Sequence, residues 1–426
     1  MISEKTKRDF IAILNEELVP AMGCTEPIAI AFASSILAHA LGGEPEELRA
    51  GFSGNIIKNV KSVIVPATGG RHGIAAALAA GIISARPDMR LEVLNTLSEG
   101  SGEAIDALLS RCKIEIEEIS SGCAFELRLL GTRGKNEVEV QILGAHTNVT
   151  LVRKNGEDIT GKYSLGEVIE NTFYRADRSC LNVADIVEFA DTVELSLVED
   201  LLRSQIDMNM AIAKEGLTNT WGASIGKLLM EGEQTLSRRA RAYAAAGSDA
   251  RMSGCELPVC IISGSGNQGI TASVPVKIYA DEMGASEEML LRALLVSDLI
   301  TIHQKNGIGC LSAYCGAVSA GVGAGAGICY LHGGKYYEIA HTLVNAVAII
   351  SGTICDGAKP SCAAKIAMAV EAGIMGFEMA KTGRQFLGGD GIVTKGVENT
   401  IRNVGRLAKD GMSQTDKEII SIMLGK

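Results

Sequence analysis

Aromatic side chains are scarce in this sequence: Phe, Trp and Tyr make up only 4% of the 426 residues, although 47% of the residues are hydrophobic. Glycine, with 49 residues, and alanine account for much of the difference. A core without large rings has to be filled by the close approach of backbones, which small side chains permit. We therefore expect tightly packed helices, with enough chain for two domains or three.

Positive charge is also in short supply, since the sequence has 40 Lys and Arg but 50 Asp and Glu, which gives a net charge of -10. Nucleic-acid binding needs a surplus of cations to neutralise phosphates, so this function is excluded. No apolar run reaches the roughly 18 residues of a membrane-spanning helix, and the Gly/Ala tract at 316–331 comes closest. No apolar signal segment follows the charged first ten residues. We expect no membrane partner and a cytoplasmic location.

Cysteine, in contrast, is plentiful, with eleven residues at irregular spacing. Without a secretory signal, such cysteines are more often thiols or metal ligands than disulfides. Five of them lie in or near glycine-rich bends between residues 306 and 365: Cys310, Cys315, Cys329, Cys355 and Cys362. Bends of this kind can bring thiolates together to bind a soft metal or an iron–sulfur cluster. The alternative stays open, because buried cysteine also serves as a small hydrophobic residue and the spacings match no standard ferredoxin or zinc-finger run.

The N-terminal segment contains two predicted helices separated by a turn. Apolar residues recur at helical spacing over residues 5–19, and a second helix, rich in small apolar residues, is predicted over 28–41. Cys24 lies in the turn just ahead of this second helix. The free N–H groups at a helix start bind anions or lower the pKa of a thiol, so Cys24 is a candidate reactive cysteine.

The middle of the chain differs in character from both ends. Runs that indicate strands occur at 62–67, 90–97, 113–120, 124–131, 136–144 and 148–156. Several of them alternate apolar and charged residues, which is typical of half-buried strands, and helical patterns lie between the first of them. This part is predicted to be an α/β module.

From residue 201 the chain is almost wholly helical by its periodicity. Glycine-rich interruptions, where a helical domain presents a pocket, occur at 263–270, 306–316, 352–362 and 386–393. We predict an α+β fold with a mostly helical catalytic domain, formed by residues 1–47 and 201–426, and an inserted α/β domain over residues 48–200.

Two glycine-rich loops outside the cysteine-rich stretch carry polar side chains. The loop TGGRHG at 68–73 places Arg71 and His72 at the start of a predicted helix. Arginine can hold a carboxylate by two hydrogen bonds, and histidine can transfer protons near neutral pH. The loop SGSGNQG at 263–269 is suited to cradling a carboxylate through backbone N–H groups and the Asn267 amide, although it matches no nucleotide-binding motif. The alternative is that both are ordinary loops.

Several segments of the chain, taken together, match a known family. They are MGCTEP at 22–27, PATGGRHG at 66–73, SGSGNQG at 263–269, GCLSAYCG at 309–316 and ICDGAKPSC at 354–362. The combination resembles the L-cysteine desulfidase family, which belongs to the iron–sulfur L-serine dehydratase α-chain superfamily. The likeness to desulfidases spans the whole chain, whereas the likeness to serine dehydratases is patchier. The resemblance implies a [4Fe–4S] cluster held by Cys315, Cys355 and Cys362 with one iron open, and Cys310 is the alternative first ligand.

The resemblance also implies a reaction, the β-elimination of sulfide from L-cysteine to give pyruvate and ammonia. An open iron would bind the substrate sulfur and polarise its bond to carbon. Cys24 is implied as the base, with His72 as a proton relay or as the alternative base. Thr25, Arg71 and Asn267 are the residues implied to hold the substrate carboxylate.

Three rival functions rest on the same residues. The first is an L-serine dehydratase with the same cluster, and the second is a non-catalytic iron–sulfur sensor. The third, a pyridoxal-phosphate lyase using Lys359, has the least support because nothing in the sequence resembles a phosphate-binding cup. The expected partner is a small amino acid. Small-residue helices often pack against partner subunits, so a homo-oligomer is compatible with the sequence, which does not fix the oligomeric state.

Overall fold

The computed structural model of the chain describes residues 2–98, 100–119, 121–123, 125–164, 176–309 and 311–425. Its first part contains α1 (Glu4–Glu17), β1 (Pro20–Met22), α2 (Thr25–Leu41), β2 (Glu47–Ser53), α3 (Gly54–Val60), α4 (Gly73–Ser84), α5 (Ser101–Arg111), β3 (Lys113–Ile119), β4 (Glu126–Arg133), β5 (Asn136–Leu143), β6 (Val149–Lys154) and β7 (Glu157–Asp158). Its second part contains α6 (Val183–Thr192), α7 (Glu199–Thr218), α8 (Ile225–Met230), α9 (Leu236–Met252), β8 (Pro258–Cys260), α10 (Gly266–Met283), α11 (Glu287–Ile308), α12 (Gly316–Leu331), α13 (Tyr336–Ile350), α14 (Cys362–Lys381), α15 (Val397–Arg406) and α16 (Ser413–Leu424). The predicted α+β fold with a mostly helical body is confirmed.

A six-stranded sheet forms the β part of the fold, with strand order β3-β2-β4-β5-β6-β7. β2 and β3 are parallel, and the other neighbouring strands are antiparallel. Along β4, Leu127 and Leu129 are buried while Arg128 between them is exposed. This alternation explains why one face of the sheet packs on helices while the other faces solvent.

Two segments predicted as strands adopt other structures. Residues 62–67 contribute an isolated bridge rather than a strand, because their proline lacks the N–H that a strand ladder needs. Residues 90–97 largely belong to a 3-10 helix over Pro87–Thr96. There the consecutive residues Val93 and Leu94 are both buried, so the segment does not present alternate residues to the core as a half-buried strand does.

Most buried apolar side chains belong to two hydrophobic clusters. One joins α2, α3, α4 and α5 to the sheet, and the other is built from α1, α6, α7 and the helices from α9 to α15. The sequence-based division placed residues 1–47 with the helical part, whereas the clusters group α2 with the sheet. The domain boundaries themselves stay a prediction.

Helix α2 is the centre of the sheet-side cluster because it is apolar around its whole circumference. Its residues from Thr25 to Ala38 are all buried, as expected of a helix surrounded by other elements. A Cβ at Gly81 of α4 would collide with the backbone oxygen of Ala31 in α2. Glycine therefore allows these two helices to approach closely.

Helix α12 is the most deeply buried element of the helical body, with every residue from Ala317 to Leu331 buried. Its glycines are the contact points with α14, since a Cβ at Gly321 or Gly325 would collide with the α14 backbone. Small residues rather than aromatic rings thus fill this core, as the composition predicted. Across the described ranges, no helix is long and apolar enough to cross a membrane.

The buried residues of the short strands β1 and β8 belong to the cluster of the helical body. The two strands pair in antiparallel fashion, with Ala21 opposite Val259. The pairing places the start of α2 beside the loop that precedes α10, and Thr25 Oγ1 donates a hydrogen bond to the Gly264 carbonyl oxygen at 2.7 Å. The candidate site lies at this junction.

Candidate active site

Two cysteine-bearing bends of the helical body are joined backbone to backbone. The N–H of Cys315 donates to the carbonyl oxygen of Thr353 at 3.0 Å, and the N–H of Cys355 donates to that of Ala313 at 2.6 Å. An antiparallel bridge lies between these two hydrogen bonds. The backbone therefore holds Cys315 and Cys355 close together although they are far apart in sequence.

Cys362 reaches the same place from the end of the second bend. It is the first residue of α14, and its N–H donates to the Lys359 carbonyl oxygen at 2.9 Å. Within the bend, Gly357 has a φ of +96°, and a Cβ there would collide with the carbonyl oxygen of Lys58 in α3. The thiols of Cys315, Cys355 and Cys362 line one cavity of about 110 Å³, smaller than the roughly 300–1,000 Å³ of drug-sized sites.

Charged side chains brace the second bend. Lys365 Nζ donates to the Ile354 carbonyl oxygen at 2.9 Å and to Asp356 Oδ1 at 2.5 Å. Although burial opposes it, hydrogen bonds from Lys359 and Lys365 lower the pKa of Asp356 to about 2. Burial raises the pKa of Cys315 to about 12, with nearby Cys355 adding to the rise and Lys365 opposing it. A metal that binds here has to displace the thiol proton, because the thiolate is the ligand.

Cys24 lines the same cavity from the start of α2. It is 4% exposed, and its Sγ donates a hydrogen bond to Glu26 Oε2 at 3.2 Å. Burial raises the pKa of Cys24 well above its ordinary value, and the negative charge of Glu26 adds to this rise while Arg251 opposes it. The sequence-based expectation of a lowered pKa at a helix start is thus outweighed, and Cys24 is a neutral thiol near pH 7.

Glu26 is a buried carboxylate surrounded by hydrogen-bond donors. Asn59 Nδ2 donates to its Oε1 at 2.8 Å, and Thr25 Oγ1 lies 3.3 Å from its Oε2. Although burial opposes ionisation, the charge of His146 and the hydrogen bonds from Cys24 and Asn59 keep the pKa of Glu26 below its ordinary value. An ionised carboxylate therefore accepts a hydrogen bond from the Cys24 thiol.

The sheet contributes His146, which lies in the connection between β5 and β6. Its Nε2 is buried and has no hydrogen-bond partner within the described chain. Burial lowers the pKa of His146, and Glu26 opposes this shift. A Cβ at Gly264 would lie 3.0 Å from His146 Cε1, so glycine at this position leaves room for the imidazole.

The polar side chains around the cavity are incompletely hydrogen-bonded among the described residues. Buried atoms without a partner there are Asn59 Oδ1, His146 Nε2, Arg251 Nε, Ser263 Oγ and Gln268 Oε1. Buried polar groups almost always have partners, so several exceptions around one cavity are typical of a binding site. The backbone of Ser263 also has a φ of +49°, a strained conformation that is common at functional sites.

Comparison with known proteins shows which family the chain belongs to. A family model described as serine dehydratase alpha chain matches residues 90–421. The chain belongs to the serine dehydratase alpha-chain family. UPF0597 proteins are similar along their whole length: that of Desulfitobacterium hafniense is 53% identical over 418 residues, covering 98% of this chain and 96% of the relative, and that of Treponema denticola is 43% identical over 431 residues, covering 100% of both. Membership of the serine dehydratase alpha-chain family makes the chain a serine-dehydratase-like iron–sulfur lyase.

The donor set fits the iron–sulfur group that the serine dehydratase alpha-chain family implies. A single ion needs donors that converge on one point, and no three His, Cys, Asp or Glu side chains do so in the described part of the chain. A four-iron cluster instead binds each thiolate through a different iron, so its ligands surround it. Cys315, Cys355 and Cys362 around one cavity match this requirement.

Of the residues that the resemblance implied, the structure brings most to this cavity. Cys24, Thr25, Asn267, Cys315, Cys355 and Cys362 all line it. Arg71 does not, because its Nε donates to Asp106 Oδ1 at 2.7 Å and its guanidinium lines a separate depression. His72, the residue before α4, is exposed and also lies outside the cavity. Cys310 lies outside the described residues.

Other cavity residues were not anticipated from the sequence. Glu26 and Gln268 lie inside two of the segments that carry the family resemblance, so the motifs already contained them. Asn59, His146 and Arg251 belong to no such segment and reach the cavity only through the fold. No local pattern in the sequence marks them.

Proposed function

We propose that the chain is an L-cysteine desulfidase, a carbon–sulfur lyase that converts L-cysteine and water into sulfide, pyruvate and ammonia. The observation that carries this proposal is the meeting of four thiols at one cavity. Three come from two joined bends, and the fourth, Cys24, is hydrogen-bonded to the carboxylate of Glu26. A donor set for a soft metal next to a thiol–carboxylate pair is suited to eliminating sulfur from an amino acid.

Cys315, Cys355 and Cys362 are the residues that would hold a [4Fe–4S] cluster. When bound, such a cluster with three protein ligands supplies an open iron that acts as a Lewis acid with affinity for sulfur. The chain keeps its three donors in place through the backbone hydrogen bonds between the bends and the contacts of Lys365 with the second bend. These supports do not depend on the sulfur atoms themselves.

Proton removal from Cα is the task of Cys24. In the resting protein Cys24 is a thiol, so its own proton has first to pass to Glu26, whose Oε2 lies 3.2 Å from Sγ. The pKa shifts of both groups make this transfer unfavourable, so only a small fraction of the protein holds the thiolate at any time. The thiolate then takes the proton from Cα. The burial that raises the pKa of Cys24 also makes its thiolate a strong base, which a weakly acidic Cα–H requires. Asn59 holds Glu26 in position for this exchange.

The remaining steps follow from the electron balance. The electron pair left on Cα forms the Cα–Cβ double bond, and the Cβ–S bond breaks with its pair on sulfur, which leaves as sulfide and takes up a proton. The aminoacrylate tautomerises to an imine, which water hydrolyses to pyruvate and ammonia. Thr25 and Asn267 line the cavity, and their polar side chains orient the amino acid.

The test is anaerobic purification followed by a visible spectrum and a sulfide assay with L-cysteine. We expect a brown chromophore, and sulfide and pyruvate in equal amounts. A chromophore without turnover of L-cysteine or L-serine would instead support a non-catalytic iron–sulfur sensor. Sulfide release that persists after complete removal of iron would also overturn the proposal.

L-Serine dehydration is the second candidate, because the matching family model is described by that activity. The same proton removal at Cα would then expel a hydroxyl in place of sulfur. Rates of pyruvate formation from L-cysteine and L-serine, measured on one preparation, separate the two functions. A higher kcat/KM for L-cysteine supports the desulfidase, and a higher value for L-serine supports the dehydratase.

A further inference from the structure

Arg251 is a buried cation on the cavity wall, near the end of α9. It is 3% exposed, and its Nη1 donates a hydrogen bond to Asn267 Oδ1 at 3.1 Å. Its Nε is buried without a hydrogen-bond partner, and the described chain offers the guanidinium no carboxylate partner. Buried guanidinium groups are normally paired with an anion, so Arg251 has the properties of an anion-binding residue.

The start of α10 is shaped around this guanidinium. A Cβ at Gly266, the first residue of α10, would collide with Arg251 Nε and lie 2.9 Å from Cζ. The residue before it, Ser265, makes no side-chain hydrogen bond to the first turn. The helix N–H groups and the guanidinium therefore lie together, and both favour negative charge.

The rest of the cavity indicates which anion this is. Glu26 lines the same cavity as an ionised carboxylate, and its charge disfavours a multiply charged ligand such as phosphate. The Arg251 guanidinium and the Glu26 carboxylate in one small cavity match a zwitterion, whose carboxylate and ammonium need opposite partners. Lys305 also lines the cavity. Its ammonium group is a single point charge, whereas a guanidinium can bind both oxygens of a carboxylate through two parallel hydrogen bonds.

We propose that Arg251 binds the α-carboxylate of the substrate and thereby restricts the site to free amino acids. This inference rests on the proposed amino-acid lyase function. It transfers to Arg251 the role that the resemblance implied for Arg71, whose guanidinium already pairs with Asp106. Asn267 becomes a positioning residue, because its Oδ1 holds the guanidinium.

The test compares two thiols that each lack one half of the amino acid. The probe 3-mercaptopropionate keeps the carboxylate and lacks the ammonium, whereas cysteamine keeps the ammonium and lacks the carboxylate. Binding of each to the cluster-loaded protein is measured by the ligand-induced rise in Tm, which needs no turnover. For Arg251→Gln we expect 3-mercaptopropionate to bind roughly 100-fold more weakly, because a charged partner is lost, and cysteamine to bind as it does to the unaltered protein.

Two further variants define the outcome. Arg251→Lys keeps the positive charge but loses the paired N–H groups of the guanidinium. We therefore expect an intermediate loss of affinity for 3-mercaptopropionate, roughly tenfold. Arg239→Gln removes an arginine from the same helix, where it pairs with Glu282 on the surface, and should leave both probes unaffected. Equal weakening of both probes by Arg251→Gln would indicate general damage and overturn the proposal. Weakening of 3-mercaptopropionate by Arg71→Gln in place of Arg251→Gln would overturn it as well.

The binding assay also separates this inference from the proposed function. If the unaltered protein releases no sulfide from L-cysteine yet binds 3-mercaptopropionate through Arg251, the lyase activity is wrong and the carboxylate site stands. If sulfide is released and KM for L-cysteine is unchanged in Arg251→Gln, the activity stands and the carboxylate site is wrong.

Discussion

Cys24 and Cys315 occupy the same position in their helices, since each immediately precedes the first turn and neither side chain caps it. Their surroundings differ. Cys24 donates a hydrogen bond to a carboxylate two residues further along the chain, whereas Cys315 lies near two other thiols and a lysine. Burial raises the pKa of both thiols, so the helix start does not distinguish them.

The comparison shows that partners, rather than helix position, determine what a thiol can do. A thiol beside a carboxylate has a proton acceptor and is suited to acid–base work. A thiol among other thiols is suited to holding a soft metal. The cavity contains both arrangements, a thiol beside a carboxylate and a group of thiols. The following substitutions test whether the two arrangements have different roles.

The largest effect is expected from Cys315→Ala. Loss of one of three ligands should remove the cluster, so both the visible absorption and sulfide release should disappear. The matched control is Cys329→Ala in the same helix, because Cys329 is buried away from the cavity lining. It should keep the absorption. A Cys315→Ala protein that retains a full chromophore would show that Cys315 is not a cluster ligand, and the proposed difference between the two thiols would be wrong.

Cys24→Ala tests the proposed role of Cys24 as the base. We expect the visible spectrum to persist and kcat to fall about 10³-fold, the order associated with loss of a positioned base. The spectrum and the sulfide assay are measured on the same sample. A bleached protein would show that Cys24 is a ligand, and the two thiols would then share one role.

Glu26→Gln sharpens the comparison by changing only the partner of Cys24. Removal of the neighbouring negative charge eliminates one cause of the raised pKa of Cys24, so this pKa should fall toward its ordinary value while burial still keeps it high. At a fixed pH the thiolate fraction rises, and alkylation of the Cys24 peptide by iodoacetamide, followed by mass spectrometry, should become faster.

Turnover should nevertheless fall in Glu26→Gln, roughly 100-fold, because the amide cannot accept the thiol proton. Glu26→Asp keeps the charge and should retain the slow alkylation of Cys24. Unchanged turnover in Glu26→Gln would mean that the thiol works without this carboxylate.

The smallest effect is expected from Gly266→Ala, which replaces no charged residue. The added Cβ should push the Arg251 guanidinium aside and raise KM for L-cysteine about tenfold through a weakened charged hydrogen bond, with kcat nearly unchanged. Gly161→Ala is the control, because its Cβ would meet no atom within 4 Å. An unchanged KM would show that Arg251 does not need this glycine.

The fold was predictable where each strand has one buried face. Along β4 and β5, buried side chains alternate with more exposed ones, and the sequence shows this pattern directly. β2 was missed because its last four residues are all buried, which removes the alternation. The 3-10 helix over Pro87–Thr96 was mistaken for a strand because short apolar runs are ambiguous between the two.

The site was predictable only where its residues share a segment. The thiols at 315, 355 and 362 could be proposed because the bends that carry them belong to matched segments. The choice between Arg71 and Arg251 could not be made from sequence, because it depends on where Asp106, 35 residues from Arg71, lies in the fold. His146 likewise reaches the cavity through the sheet, a contact that no local pattern encodes.

The hydrogen bonds that join the two cysteine bends run between main-chain atoms, so they do not depend on the side chains at 315 and 355 as long as neither residue is proline. The two bends are consequently held together independently of the group that their side chains bind. Replacement of the sulfur donors at these positions by oxygen or nitrogen donors would therefore leave the main-chain links between the bends in place.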